Sequence, residues 1–112
     1  MAAPPRTRRD AVFKAIADPT RREIVATLRH SQPTVGELAR RFHQSRPAIS
    51  RHLRVLRRAG LVATHRLGRN RICTLDAAPL RAVADWIADV APVSAEPPRG
   101  SSVVVDGPGD AG

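Results

Sequence analysis

Residues 34–60, TVGELARRFHQSRPAISRHLRVLRRAG, contain two short helical patterns separated by one polar break. Thr34 followed by Glu37 is a capping box, in which hydroxyl and carboxylate each satisfy an orphan amide at a helix start. Behind it Val35, Leu38, Ala39 and Phe42 recur at helical spacing. His43-Gln44 reads as the turn. Ser45 is placed to cap a following helix whose first turn tolerates Pro47, because no amide donor is needed there. In that helix Ile49, Leu53 and Leu56 stand at i, i+4 and i+7 and make one apolar stripe. Arg46, Pro47, Ser50, Arg51 and Arg54 lie on the other side, and Gly60 stops the helix as a glycine just past the last turn does. Two short helices joined by a tight turn predict a helix-turn-helix.

Upstream, Val12, Phe13, Ile16 and Ala17 predict a first helix over about 8–17. Asp18-Pro19 punctuates it and starts a second, running to about residue 30, with Ile24, Val25 and Leu28 inward and Arg21, Arg22 and Glu23 facing water. Downstream, Leu61–Arg66 and Arg71–Leu75 are β-compatible runs around Leu67-Gly68-Arg69-Asn70, so a hairpin with a basic tip is expected. Asp76 is placed to cap a last helix over roughly 77–90, with Leu80, Val83, Ala84, Ile87 and Val90 at helical spacing and Trp86 widening the face.

The expected fold is mainly α with a small β-hairpin, a winged helix-turn-helix of order α1-α2-α3-α4-β1-β2-α5. Residues 1–7 and the Pro-, Gly- and Ser-rich residues 92–112 are expected to be disordered, leaving 8–91 as one DNA-binding and dimerisation domain. A core this small is only marginally stabilised by its own burial, so apolar faces left over favour pairing with a second copy.

The chain has 112 residues and a net charge of +9, but the charge is unevenly placed. Residues 40–71 carry ten Arg/Lys against no Asp/Glu, whereas 1–39 sum to +3 and 72–112 to −4. A block of uncompensated positive charge repels itself until a polyanion neutralises it. The helix containing Arg46, Arg51, Arg54, Arg57 and Arg58 without one carboxylate is therefore read as lying against phosphates. No run approaches the roughly 20 apolar residues of a membrane span, and the first residues lack the apolar centre of a secretion signal. A soluble, cytoplasmic protein is expected. The single cysteine, Cys73, excludes an internal disulfide and cannot by itself form a thiolate metal site.

The stretches ADPTRREIVATL (17–28), TVGELARRF (34–42), SRPAISRHLRVLRRAGLV (45–62) and GRNRICTLD (68–76) together resemble the ArsR/SmtB type of bacterial winged-helix transcriptional regulators over about residues 10–90. The resemblance implies a homodimer formed largely by the first and last helices, a recognition helix in each major groove of an operator, and a wing along the flanking minor groove. It also implies repression that an inducer relieves. Metal-sensing members carry a Cys-x-Cys pair near the third helix, or Asp and His ligands on the last. This sequence has Val35-Gly36-Glu37-Leu38 at the first place, and Asp76, Asp85 and Asp89 without His or Cys at the second. It therefore resembles the members without those metal motifs, and no cofactor is expected.

The function expected is that of a dimeric, sequence-specific DNA-binding regulator, a repressor on a pseudo-palindromic operator, with recognition helix 46–58 and wing 61–75. Gln44, Arg46, Pro47 and Ser50 are the candidates for base edges, since the N-terminal turns of a recognition helix reach deepest into the groove. Arg51 and Arg54, like Arg46, are expected to contact DNA rather than form a merely solvated face. Ser45 serves as a cap, a phosphate contact, or both. Arg66, Arg69 and Arg71 are expected at phosphates or the minor groove. The helix macrodipole accounts for Arg57 and Arg58 without DNA. Val12, Phe13, Ile16, Leu80, Val83, Trp86, Ile87 and Val90 are the expected dimer seam. Cys73 reads as a small strand hydrophobe rather than a redox switch, and His52 as packed or phosphate-adjacent. Rival readings are a winged-helix module that docks an acidic protein, or a metal- or redox-responsive repressor with a non-standard site. An enzyme is not expected: no nucleophile, base and orienting group occur together, and no glycine loop cradles phosphate.

Overall fold

The structure, a computed structural model, describes residues 4–92. Its element order is α1 (Pro4–Ala15), α2 (Pro19–Leu28), α3 (Val35–Phe42), α4 (Arg46–Arg58), β1 (Val62–Leu67), β2 (Asn70–Leu75) and α5 (Ala78–Val90). This is the winged helix-turn-helix order. Helix α1 starts at Pro4 rather than near Arg8, and it ends at Ala15 rather than at residue 17. The two prolines that read as irregular chain occupy the first turn, where a missing amide donor is harmless. The disorder expected of residues 1–3 and 93–112 lies outside the described residues.

The caps follow the local chemistry. Asp18 Oδ2 accepts from the Arg21 amide at 3.0 Å. In the capping box, the Thr34 amide donates to Glu37 Oε1 at 2.8 Å and the Glu37 amide to Thr34 Oγ1 at 3.1 Å. Ser45 Oγ accepts from the Ala48 amide at 3.2 Å. The last helix departs from expectation: it opens at Ala78 with Ala77 at the N-cap and no side-chain cap bond, and Asp76, one residue too early to cap it, accepts at Oδ1 from the Ala78 amide at 3.0 Å. Gly60 has φ 78° just past the end of α4, a left-handed conformation that glycine adopts without steric cost. The turn between α3 and α4 is made instead by His43 at φ 54°, in the left-handed region that histidine visits more often than most non-glycine residues.

The core is a cluster in which Ile24, Leu38, Ile49, Leu53, Leu56, Leu61, Val12 and Cys73 are almost fully buried. Helix α4 is central to it: Ile49, Leu53 and Leu56 point inward, and α1, α2, α3 and β1 all pack against it. Each such aliphatic side chain contributes roughly 1.5–3 kcal/mol by leaving water. The arginine face of α4 is thus held in place by the opposite face of the same helix. Helix α1 packs mainly against α5.

Strands β1 and β2 pair antiparallel, with Val62 opposite Leu75, Thr64 opposite Cys73 and Arg66 opposite Arg71. Gly68, at φ 63°, supplies the positive φ of a two-residue turn. The hairpin does not hang free. Thr34 forms a bridge with Ile72, the Cys73 amide donates to the Pro33 carbonyl at 2.8 Å, and the Asp76 amide donates to the Leu61 carbonyl at 2.8 Å. The segment before α3 therefore meets β2 at one isolated bridge and ties the wing to the helix-turn-helix. Among the described residues, no helix is long and apolar enough to cross a membrane.

Candidate nucleic-acid interface

Ser45, Arg46, Pro47, Ser50, Arg51 and Arg54 are all exposed; Pro47, Ser50, Arg51 and Arg54 turn away from the buried Ile49, Leu53 and Leu56, whereas Arg46, expected on that same side, extends from the first turn of α4 along the flank of the buried stripe towards Gly36 of α3, because seven residues bring it back in line with Leu53. Arg66, Arg69 and Arg71 are exposed on the hairpin. The two sets meet. Arg46 and Ser50 of α4, Arg69, Asn70 and Arg71 of the wing, and the start of α3 at Thr34–Gly36 line one open cleft of about 330 Å³. Arg51, Arg54 and Arg66 lie outside this cleft.

Gly36 shapes the cleft. It is buried in the first turn of α3, and a Cβ there would come within 2.6 Å of Arg46 Nη2 and 3.2 Å of Cζ. The guanidinium of Arg46 thus occupies the space that a side chain at residue 36 would take. Sequence patterns alone assign no site role to Gly36 or Asn70. The one signal for Gly36 is its poor helix propensity in an otherwise well-capped helix start.

Gln44 is placed differently from the arginines. It is half-buried, and its Nε2 donates to Thr20 Oγ1 at 3.3 Å, which ties the turn to the start of α2. His52, on the flank of α4, is also tied to α2: its Nδ1 lies 3.5 Å from Arg21 Nη1 and 3.9 Å from Asp18 Oδ2. The Arg21 backbone amide holds the Asp18 carboxyl below the usual carboxylate range. The charges of Arg21 and His52 add to this, against desolvation.

Arg21 and Arg22 do not simply face water. Arg21 Nε donates to the Ala15 carbonyl at 2.7 Å and Nη2 to the Lys14 carbonyl at 3.1 Å. Arg22 Nη1 donates to the Ile16 and Ala17 carbonyls at 2.9 and 3.1 Å. Arg21 caps the carbonyl end of α1, where cations are favoured, and Arg22 satisfies carbonyls of the turn that follows it. Their charge is engaged within the fold, unlike that of α4 and the wing.

Cys73 is fully buried, and burial pushes its thiol up, opposed by the positive charges of Arg57 and Arg71. It packs as a small apolar residue. Among the described residues, no three His, Cys, Asp or Glu side chains gather into a group that could hold a metal ion.

Of the residues expected at a dimer seam, Val12 and Val83 are already buried within one chain. Phe13, Ile16 and Leu80 are partly buried against the core. Trp86, Ile87 and Val90 are 41%, 50% and 63% exposed, an uncovered apolar row on α5. Phe13 meets Trp86 edge-to-face with ring centroids 5.4 Å apart, so α1 and α5 present one surface.

Residues 18–64 match the family described as bacterial regulatory protein, arsR family. The chain is 40% identical over 76 residues to the transcriptional repressor SdpR of Bacillus subtilis, covering 68% of this chain and 84% of that protein. A crystal structure of an ArsR family transcriptional regulator superposes with a TM-score of 0.70 at 37% identity, over 80% of this chain and 92% of the other. The homodimeric winged helix-turn-helix DNA-binding domain Mb0332 of Mycobacterium bovis gives a TM-score of 0.63 at 27% identity, over 74% and 80% of the two chains. With the helix-turn-helix, the anchored wing and these relatives agreeing, the chain belongs to the ArsR family of bacterial regulatory proteins.

Proposed function

We propose that this chain is a homodimeric, sequence-specific DNA-binding transcriptional regulator that represses from a pseudo-palindromic operator. The observation that carries the reading is the shared cleft, where the recognition-helix residue Arg46 and the wing residues Arg69 and Arg71 face one space. It lies within a segment, residues 40–71, that holds ten basic residues and no acidic one. Such a surface gains by releasing condensed counterions from a duplex. Helix α4 enters the major groove with Arg46, Pro47 and Ser50 nearest the base edges, Arg51, Arg54 and the wing arginines hold phosphates, and Gln44 supports the turn from behind.

Trp86, Ile87 and Val90, with Phe13, Ile16 and Leu80 beside them, form the seam between two copies. The homodimeric state of the Mycobacterium bovis relative supports this arrangement, and the name of the Bacillus repressor supports repression. The regulator is not an enzyme and acts in the cytoplasm.

Selection of bound duplexes from a random pool tests the reading. Enrichment of an inverted repeat with half-sites about one helical turn, or ~34 Å, apart is expected. Recovery of random sequence would reduce the protein to an architectural binder. Trp86→Glu should yield a monomer by sedimentation and lose the inverted repeat; a dimer retained in that variant would refute the seam.

A further inference from the structure

We propose that Leu67, at the tip of the wing, packs into the minor groove beside each half-site and selects A·T over G·C base pairs there, a specificity element that rests on the chain's being a DNA-binding regulator. Among the described residues, the exposed large hydrophobic side chains are Trp86, Ile87 and Val90 of the α5 row and, apart from them, Leu67 at 64%. A lone surface leucine is commonplace, but this one has an unusual setting. It is the last residue of β1, between Arg66 and the turn that carries Arg69, within the segment 40–71 that holds no carboxylate. A Cβ added at the neighbouring Gly68 would meet no atom within 4 Å, so the tip stands clear of the other described residues.

The order of the elements across the surface decides which groove Leu67 meets. β2 is the strand nearer the helix-turn-helix: Ile72 forms the bridge with Thr34, the Cys73 amide donates to the Pro33 carbonyl, and Asn70 and Arg71 share the cleft with Arg46. β1 pairs with β2 from the other side, and neither Arg66 nor Leu67 lines that cleft. With α4 in the major groove, the arginine-lined cleft lies over the adjoining phosphate ridge. The strand beyond the ridge then faces the next groove, which is the minor one.

In the minor groove A·T and T·A pairs present acceptors alone, whereas a G·C pair adds the guanine N2 amino donor. That amino group stands up from the groove floor into the space an isobutyl side chain would fill. Leucine offers it no acceptor, so covering it costs the donor its hydration without return. The discrimination differs in kind from that made by arginines, which read the potential of a narrow A·T groove and weaken as salt rises. An apolar contact releases no counterions and keeps its preference in salt.

The test is competition binding of the full chain to duplexes that share the selected inverted repeat and carry A·T, G·C or inosine·C pairs at the positions flanking each half-site. Inosine lacks the 2-amino group and keeps the major-groove face of guanine. The wild type is expected to bind A·T and inosine·C flanks alike and G·C flanks at least about threefold more weakly, at low and at high salt. Leu67→Ser should level the three duplexes, Leu67→Met should keep the wild-type order, and both should melt with the wild type because the position is exposed. Equal wild-type affinity for A·T and G·C flanks, inosine·C flanks bound as weakly as G·C, or an A·T preference that survives in Leu67→Ser would overturn the proposal. So would a preference that disappears in Arg69→Ala while Leu67 is intact, since it would then belong to the arginine. Failure of the wild type to bind any of these duplexes would instead remove the DNA-binding reading, and the role of Leu67 with it.

Discussion

Arg66 and Arg71 stand directly opposite each other across the β1–β2 ladder, both exposed, with Arg69 in the turn beyond them. Like charges in directly opposed positions destabilise a hairpin, by an amount comparable to the 0.2–1 kcal/mol that a favourable pair contributes. A wing built this way is strained until an anion lies across it. Arg66→Thr should therefore raise the stability of the free protein by about 0.2–1 kcal/mol. In the same variant DNA affinity should fall, and the salt slope should shrink by about 0.9 for each phosphate that the protein no longer neutralises. Thermal melts and binding isotherms of one preparation check both signs.

Gly36 and Arg46 give a second pair of opposed effects. Alanine at residue 36 should favour α3 by roughly 0.5–1 kcal/mol over glycine. Its Cβ would displace the Arg46 guanidinium from the cleft, since the two atoms would meet at 2.6 Å. Gly36→Ala is expected to keep or raise the melting temperature while weakening binding of the selected duplex about threefold to tenfold, by disturbing one charge-assisted interaction. Arg46→Ala should weaken binding at least as much and leave no further effect for Gly36→Ala in the double variant.

The Asp18 carboxylate caps α2 and lies close to His52 of α4. Its folded pKa is depressed, so its contribution is present at neutral pH and is lost as pH falls through the ordinary aspartate range and then through the lowered folded value. Asp18→Asn, which keeps capping ability without charge, should flatten that acid limb of the stability curve. Asp18→Ala should cost about 0.5–2 kcal/mol at neutral pH. Denaturant titrations across the acid range distinguish the two variants.

Cys73 gives the opposite limb. Burial raises its folded pKa, so stability from the neutral thiol is present below the ordinary thiol range. It is lost as pH rises from there through the raised folded value, because the unfolded chain ionises first. Cys73→Ala should remove this alkaline dependence. In the native wild type, a thiol reagent should react only at the rate of opening, since the side chain has no exposed surface.

The caps, the helix-turn-helix and the hairpin are legible in the sequence because they are local. Asp18, Thr34 with Glu37, Ser45 and Gly60 each act within a few residues of their own position. The arginine face of α4 follows from Ile49, Leu53 and Leu56, since a buried stripe fixes the opposite side. Contacts between distant segments are not legible. Nothing local marks Thr34 as the partner of Ile72, Thr20 as the partner of Gln44, or the carbonyls of residues 14–17 as the destination of Arg21 and Arg22. Periodicity assigns Val12 and Val83 to an apolar face but cannot say what covers it; in the fold, the chain itself does. The start of α1 is hidden because Pro4-Pro5 reads as a helix breaker except in a first turn.

The most direct test is the salt dependence of duplex binding for the selected inverted repeat and a scrambled control. The account predicts one dimer per repeat, affinity about 10³-fold or more above the control, and a log–log slope of roughly −5 or steeper that shrinks when Arg51 and Arg54 are replaced by alanine. Equal affinity for both duplexes, or a slope near zero that the arginine substitutions leave unchanged, would contradict it.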